Sequence, residues 1–364
     1  MNGRGLDFEI QFALTCLAYT HTLLARSSLL TLYASTSPSV DERVKIVQSA
    51  TKHFLATNSI HVWLATCAME IDASQAVIET LSQTQSALAA LAMAEATLLA
   101  VLKDDPYPFV IAQSRDKNDK DWMIKAPEIP KVRAHLFARL CLSAYEHAGR
   151  AEAGLSGSGR VGTDVLEYLK DLRKTALAKA GRFFGIDAEL AGETGKGIAW
   201  LKGAKAQLGF KDEGHEETTA FAKLRGLSKN IREKREDRKI EKGGQLGGAA
   251  GRLEELGVLG HLQTKWVKMN DTVCSMNTQL IPPFEPLLAN MPSGRDIHSS
   301  QPFVKPTLDE ETLSRLRAPP ERAGLLDDGQ DIESSDDDDD RAKHSADIPG
   351  TFPGGSTQST EPYY

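Results

Sequence analysis

A chain of 364 residues with 41% hydrophobic and 26% charged positions can build one large or two ordinary domains with a real core, which excludes a wholly unstructured protein. Aromatic residues make up only 6%, alanine and leucine are frequent and β-branched runs are scarce, so helix is favoured over sheet. The formal charge of −7 is set by a tail, because Asp327 to Asp340 holds eight aspartates and one glutamate with no basic residue; the remainder is slightly positive, and nucleic acid is not an expected partner.

Leu6 to Tyr33 reads as a helix that is apolar on most sides, through Phe8, Phe12, Leu14, Leu17, Tyr19, Leu23 and Leu24, and such a helix needs neighbours all round. Ser39 and Glu42 have capping-box spacing and open a second helix through Val44, Val47, Phe54 and Leu55 toward Trp63 and Met69. A third begins near Asp72 and buries Val77, Leu81, Leu88, Leu91, Leu98, Leu99 and Leu102. It stops at Asp104-Asp105-Pro106-Tyr107-Pro108, where two prolines cannot continue a hydrogen-bond ladder. An irregular connection with Phe109, Val110, Ile111, Trp122 and Met123 then runs to Pro130.

Pro130 suits the first position of a helix that buries Val132, Leu136, Phe137 and Leu140 and that Gly149 and Gly154 end. Thr163 caps the next, through Val165, Leu166, Leu169, Leu172 and Leu177, and after Gly185 a glycine-rich turn leads to Ile198, Trp200 and Leu201. Glu216 to Lys242 is helical and heavily charged. Its last part, Lys229 to Lys242, has seven basic and four acidic residues, a pattern open to a solvated helix or to weak contact with an anionic membrane or acidic partner. The last long helix sets Leu259, Leu262, Trp266, Met269, Val273, Met276 and Leu280 at alternating spacings of three and four. Repeated long helices with no strand between them predict an all-α fold of stacked antiparallel helix pairs.

Ile281 to Leu308 is too rich in proline for helix and too apolar for a free tail, so it is expected to lie extended or turning over the helices. Phe284, Leu287, Leu288, Met291, Ile297, Phe303 and Leu308 are its anchors, and Ser293-Gly294-Arg295-Asp296 is a turn in which the glycine is free to take positive φ. Arg295 either locks that turn onto the helical body through a carboxylate or carbonyls, or with Asp296 reads a ligand.

Chemistry is sparse. Cys16, Cys67, Cys141 and Cys274 are isolated within apolar helical patterns, which predicts buried reduced thiols and neither zinc nor disulfides. Gly192-Glu193-Thr194-Gly195-Lys196-Gly197 lacks the spacing and hydroxyl of a phosphate loop, and Ala220 lies just beyond where the second histidine of a zincin motif would stand after His215-Glu216. No serine elbow occurs, so no cofactor, metal or enzymatic activity is expected. MNGRGLDFEI has no secretory pattern and no run of 18 apolar residues occurs, so the expected location is cytoplasmic, with recruitment by partners.

The run Met291-Pro292-Ser293-Gly294-Arg295-Asp296-Ile297-His298, followed by Phe303 and Pro306-Thr307-Leu308, resembles the closing signature of the BRO domain superfamily, whose members include ALIX. Gly5-Leu6-Asp7-Phe8-Glu9-Ile10, the Asp104 to Pro108 turn and Ile124-Lys125-Ala126-Pro127-Glu128-Ile129-Pro130 are similar to a fungal branch that serves ambient-pH signalling. The resemblance implies an elongated, curved, tetratricopeptide-like helical domain over 1–308 and a disordered acidic, Pro/Gly/Ser-rich tail over 309–364. It also implies a non-catalytic adaptor that takes the C-terminal helix of the main ESCRT-III polymer subunit in a hydrophobic groove and works with other pH-signalling components at the plasma membrane or at endosomal ESCRT sites.

By pattern, that groove falls on Leu98, Leu99, Leu102, Val110 and Ile111, an apolar strip whose alternative is ordinary core; Pro292, Ser293, Gly294, Arg295 and Asp296 form the structural signature. Members of the superfamily carry roughly a hundred further residues before the position matching Gly5, so the resemblance implies an N-terminally shortened domain with Phe8, Phe12 and Leu17 partly uncovered.

Overall fold

The computed structural model describes residues 6–34, 39–67, 77–115, 131–157, 160–210, 249–272, 279–299 and 301–317. Two compact units divide them at Lys305 and Pro306. Among the described residues there is no strand, and the helices pack in antiparallel pairs, so the fold is all-α.

The first unit begins with α1 (Leu6–Ala34) and α2 (Val40–Cys67). The capping box forms as the spacing predicts: the Ser39 amide donates to Glu42 Oε2 at 3.0 Å, and the Glu42 amide donates to Ser39 Oγ at 3.2 Å. A single 3₁₀ turn (Ile78–Thr80) precedes α3 (Ser82–Asp104). Thus the third helix starts later than the periodicity suggests, with Val77 exposed and extended and Leu81 the extended residue ahead of the helix. α4 (Tyr107–Arg115) stands where the first part of an irregular connection is expected, and the remainder of that stretch, 116–130 with Trp122 and Met123, lies outside the described residues. Pro108 sits in its first turn, where a missing amide hydrogen costs nothing, and Asp105 Oδ1 accepts the Tyr107 amide at 3.1 Å.

α5 (Lys131–Ser156) and α6 (Thr163–Leu190) run straight through glycines that the sequence marks as stops. These glycines are crossing points: a Cβ on Gly154 would stand 2.8 Å from Cβ of Ala87 in α3, and one on Gly185 would meet the Gly197 carbonyl at 3.2 Å. Gly192 (φ +82°) and Gly209 (φ +85°) instead mark the ends of α6 and of α7 (Thr194–Gln207), where a left-handed residue closes the last turn. α8 (Arg252–Thr272) and the short α9 (Phe284–Ala289) complete the unit. The charged stretch 216–242 lies outside the described residues.

Successive long helices are neighbours in the order α1, α2, α3, α5, α6, α7, α8. The largest core lies among α4 to α8, around Phe137, Phe183, Phe184, Trp200, Leu201 and Trp266. Inside it Arg182 is fully buried. It meets Asp105 Oδ2 at 2.6 Å and Glu255 Oε1 at 2.6 Å, while Lys179 Nζ reaches Glu255 Oε2 at 2.8 Å. Burial works against each charge, yet the carboxylates hold Arg182 and Lys179 above their ordinary pKa and the cations hold Glu255 below its own. This knot ties α6 to α8 and to the entry of α4.

α3 is long and apolar enough to cross a membrane, but it packs between α2 and α5 as a core helix. Of the described cysteines only Cys141 is fully buried, which pushes its thiol up to about 12; Cys67 is half-buried and Cys16 is exposed, against the expectation that all are enclosed. Phe12 and Leu17 of α1 stay 53% and 40% exposed.

The second unit contains α10 (Glu310–Arg317), a helix within the stretch expected to be disordered. Asp309 Oδ1 caps it by accepting the Thr312 amide at 2.6 Å. The rest of the tail, 318–364, lies outside the described residues.

Candidate functional site

Residues 279–305 form a strap that runs back across the helices. Gln279 begins it: Oε1 accepts the Gly195 amide at 2.9 Å, Nε2 donates to the Gly192 carbonyl at 2.7 Å, and its own amide donates to Asn270 Oδ1 at 3.1 Å. The glycine-rich start of α7, which superficially resembles a phosphate loop, is therefore filled by a side-chain amide of the same chain. Next, the proline-rich segment does form a helix, α9, because Pro286 falls within its first turn. Phe284 stands edge-on to Trp200 at 5.6 Å and presses on Gly203, where a Cβ would overlap its ring at 2.1 Å.

The signature residues then seat on α5. Arg139 Nε donates to the Ser293 carbonyl at 3.1 Å, the Arg295 amide donates to the Arg139 carbonyl at 3.0 Å, and the Gly294 amide donates to Glu146 Oε1 at 3.3 Å. Gly294 is required for space rather than for positive φ, since its Cβ would stand 2.6 Å from the Ser143 amide nitrogen. The lock is made by Asp296, not by the exposed Arg295 side chain. Asp296 Oδ1 accepts from Ser143 Oγ and from His147 Nε2, the latter at 3.0 Å. Arg150 donates to His147 Nδ1 at 2.8 Å, which fixes the neutral tautomer with its proton on Nε2.

The Ser143 hydrogen bond, aided by His147, holds the Asp296 carboxyl below its usual range. Burial lowers the His147 pKa despite Asp296, and Arg150 adds to that effect. Serine, histidine and aspartate do meet here, but serine and histidine both donate to one carboxylate and the imidazole leaves the hydroxyl unactivated.

Farther along, His298 lies beside the Ala96 backbone of α3, with Nε2 buried and without a hydrogen bond, and Phe303 and Lys305 pack on Trp63 of α2, with ring centroids at 5.7 Å and Nζ 4.7 Å from the indole centroid. Phe284, Leu287 and Met291 are anchors against the core, whereas Ile297 is exposed. The sequence carried a readable signal for the α5 seat: Arg139, Ser143, Glu146, His147 and Arg150 recur about one turn apart along the helix. The strap partners of the first four stand 148 to 156 positions away, so periodicity alone could not find them.

The five residues expected to form an exposed strip do not form one. Leu99 belongs to the α1–α2–α3 core and Ile111 to the α4–α8 core, both buried; Leu98 packs against the second core and Leu102 against the first, and both, like Val110, are half-buried. Among the described residues no group of three or more His, Cys, Asp or Glu side chains could hold a metal ion.

No family model matches the chain. It is, however, 49% identical over 382 residues to the pH-response regulator protein palC of Emericella nidulans, an alignment that takes in 97% of this chain and 73% of the relative. The chain belongs to the palC family. In this palC-family member the strap begins beyond α8 and returns as far as α2.

Proposed function

We propose that this chain is a non-catalytic adaptor of fungal ambient-pH signalling, in which a BRO-like helical array takes the C-terminal helix of the main ESCRT-III polymer subunit and so assists proteolytic activation of the transcription factor PacC. The observation that carries this reading is the close likeness along nearly the whole chain to the palC regulator. Two features support it. Stacked helices tied by a strap suit a rigid docking surface, and the cluster of Ser143, His147 and Asp296 is spent on holding the strap rather than on activating a nucleophile. Such an adaptor resides in the cytoplasm and is recruited to the plasma membrane or to endosomal ESCRT sites by its partners.

Because Leu99 and Ile111 are core residues, the contact is assigned to the half-buried Leu98, Leu102 and Val110. Titration calorimetry of the full chain with the C-terminal helical peptide is expected to give saturable binding. Leu98→Asp and Leu102→Asp are expected to weaken it by at least about tenfold, with helicity retained by circular dichroism. No heat from a well-folded wild-type chain would reject the partner; undiminished binding by both variants would reject the surface.

A further inference from the structure

Among the described residues of the first unit, the buried and half-buried arginines are matched to acceptors, with one exception. Arg139 and Arg252 donate to the Ser293 and Leu208 carbonyls, Arg173 to Glu152, and Arg182 to Asp105 and Glu255. Arg43, in the first turn of α2, is half-buried; it makes no ion pair among the described residues, and its Nε is buried without a hydrogen bond. An aromatic ring holds it instead, for the guanidinium carbon lies 4.3 Å from the ring centroid of Phe109 in α4. Burial lowers its pKa, against the pull of Asp105 and Asp104. Both of those carboxylates are engaged elsewhere, Asp105 by Arg182 at 2.6 Å and Asp104 by Arg133 at 3.7 Å. A partly desolvated cation without a counter-charge costs stability, whereas a stacked, planar guanidinium is already set to take a carboxylate through parallel N–H donors.

Arg43 also stands beside the contact assigned above. Phe109, Leu102 and Ile46, the last one turn from Arg43, pack on the same core, and Val110 follows Phe109 in α4. Leu102, Phe109 and Val110 are half-buried, so the stacked pair lies at the edge of an apolar surface. We infer that Arg43 is the specificity-determining residue of this contact and pairs with a carboxylate of the partner helix, an aspartate or glutamate beside the apolar residues that meet Leu102 and Val110. Its role rests on the adaptor reading and adds the chemistry that the contact selects: an acidic amphipathic helix is taken in preference to an uncharged one of the same shape. Stacking on Phe109 fixes the plane of the guanidinium fork, so a lysine at this position supplies the charge without the geometry.

The test is a double-mutant cycle by titration calorimetry, with the full chain and the C-terminal helical peptide of the ESCRT-III subunit, each acidic residue of the peptide being changed in turn to its amide. Arg43→Gln is expected to weaken binding about tenfold with helicity unchanged by circular dichroism, and Arg43→Lys to recover only part of that loss. One amide peptide is expected to bind the wild-type chain about tenfold less tightly, yet to bind the Arg43→Gln chain as tightly as the unaltered peptide does. That missing second loss separates a direct pair from a merely structural effect of Arg43 on Phe109. Binding that Leu98→Asp and Leu102→Asp weaken but Arg43→Gln leaves unchanged overturns the role of Arg43 and keeps the adaptor reading. Losses from Arg43→Gln that add in full to those of every amide peptide overturn it as well. A well-folded wild-type chain that gives no heat rejects the adaptor reading, and the role of Arg43 with it.

Discussion

The interfaces among α1, α2 and α3 differ in kind from those among α5, α6, α7 and α8. The first set is held by directed polar contacts: Thr57 Oγ1 donates to the Ala18 carbonyl at 3.1 Å, Asn58 Nδ2 donates to the Ala89 carbonyl at 2.8 Å, His61 meets Gln85, and Gln85 reaches Thr15 at 3.1 Å. His21 and His53 share one hydrogen bond at 2.9 Å. The second set is an aromatic core with one ion knot at its centre. Burial of apolar area makes such a core strong but tolerant, while a polar seam fixes register and is sensitive to any lost partner; this one already leaves Gln11 Oε1 and Asn58 Oδ1 buried without a hydrogen bond. The strap touches both sets, so it couples a region governed by geometry to one governed by area.

The largest effect should come from breaking the knot. Arg182→Ala leaves the Asp105 carboxylate buried without its cation and Glu255 with Lys179 alone, and urea unfolding should show a loss of about 3–5 kcal/mol. Next is Gly203→Ala, whose new methyl displaces Phe284 from α7. A cost of about 1–3 kcal/mol is expected, with limited proteolysis opening the strap near residue 284 before the helices are cut. A tight, native-like strap in that variant would disprove the close packing.

The smallest effect is also the most telling about the comparison. Burial lowers the pKa of both His21 and His61, in His21 with help from His53 and in His61 against the hydrogen bond to Gln85. With a folded-state pKa below the ordinary ~6.5, each histidine gives its full contribution above that value, and the contribution is lost as pH falls through the lowered pKa, because the unfolded chain takes up the proton first. Protection factors for hydrogen exchange should therefore fall in α1 and α2 between about pH 7.5 and pH 5.5 while those at the centre of α6 hold. An equal fall in both sets would dissolve the distinction.

Much of this was legible beforehand. The periods of Leu136, Phe137 and Leu140 and of Leu259, Leu262 and Trp266 named real core faces, and the Ser39–Glu42 box marked a real helix start. What misled was punctuation: Pro108 and Pro286 read as breakers but occupy first turns, and Gly154 and Gly185 read as stops but are crossings. Local sequence states what a residue permits, and tertiary packing decides which permission is used. The same limit applied to the site. Periodicity identified Leu99 and Ile111 as apolar but could not say that a neighbouring helix covers each of them. Nor could it pair Arg182 with carboxylates 77 and 73 positions away.

The strap has a consequence in time as well. It is made after all the long helices, yet it returns from α8 through α7, α5 and α3 to α2, against the order of synthesis. Contacts spanning about 150 positions close slowly, since the loop entropy must be met before they form. While it is being made, the chain thus presents the helical array with its strap seat bare, and docking of the strap marks the moment at which the first unit closes.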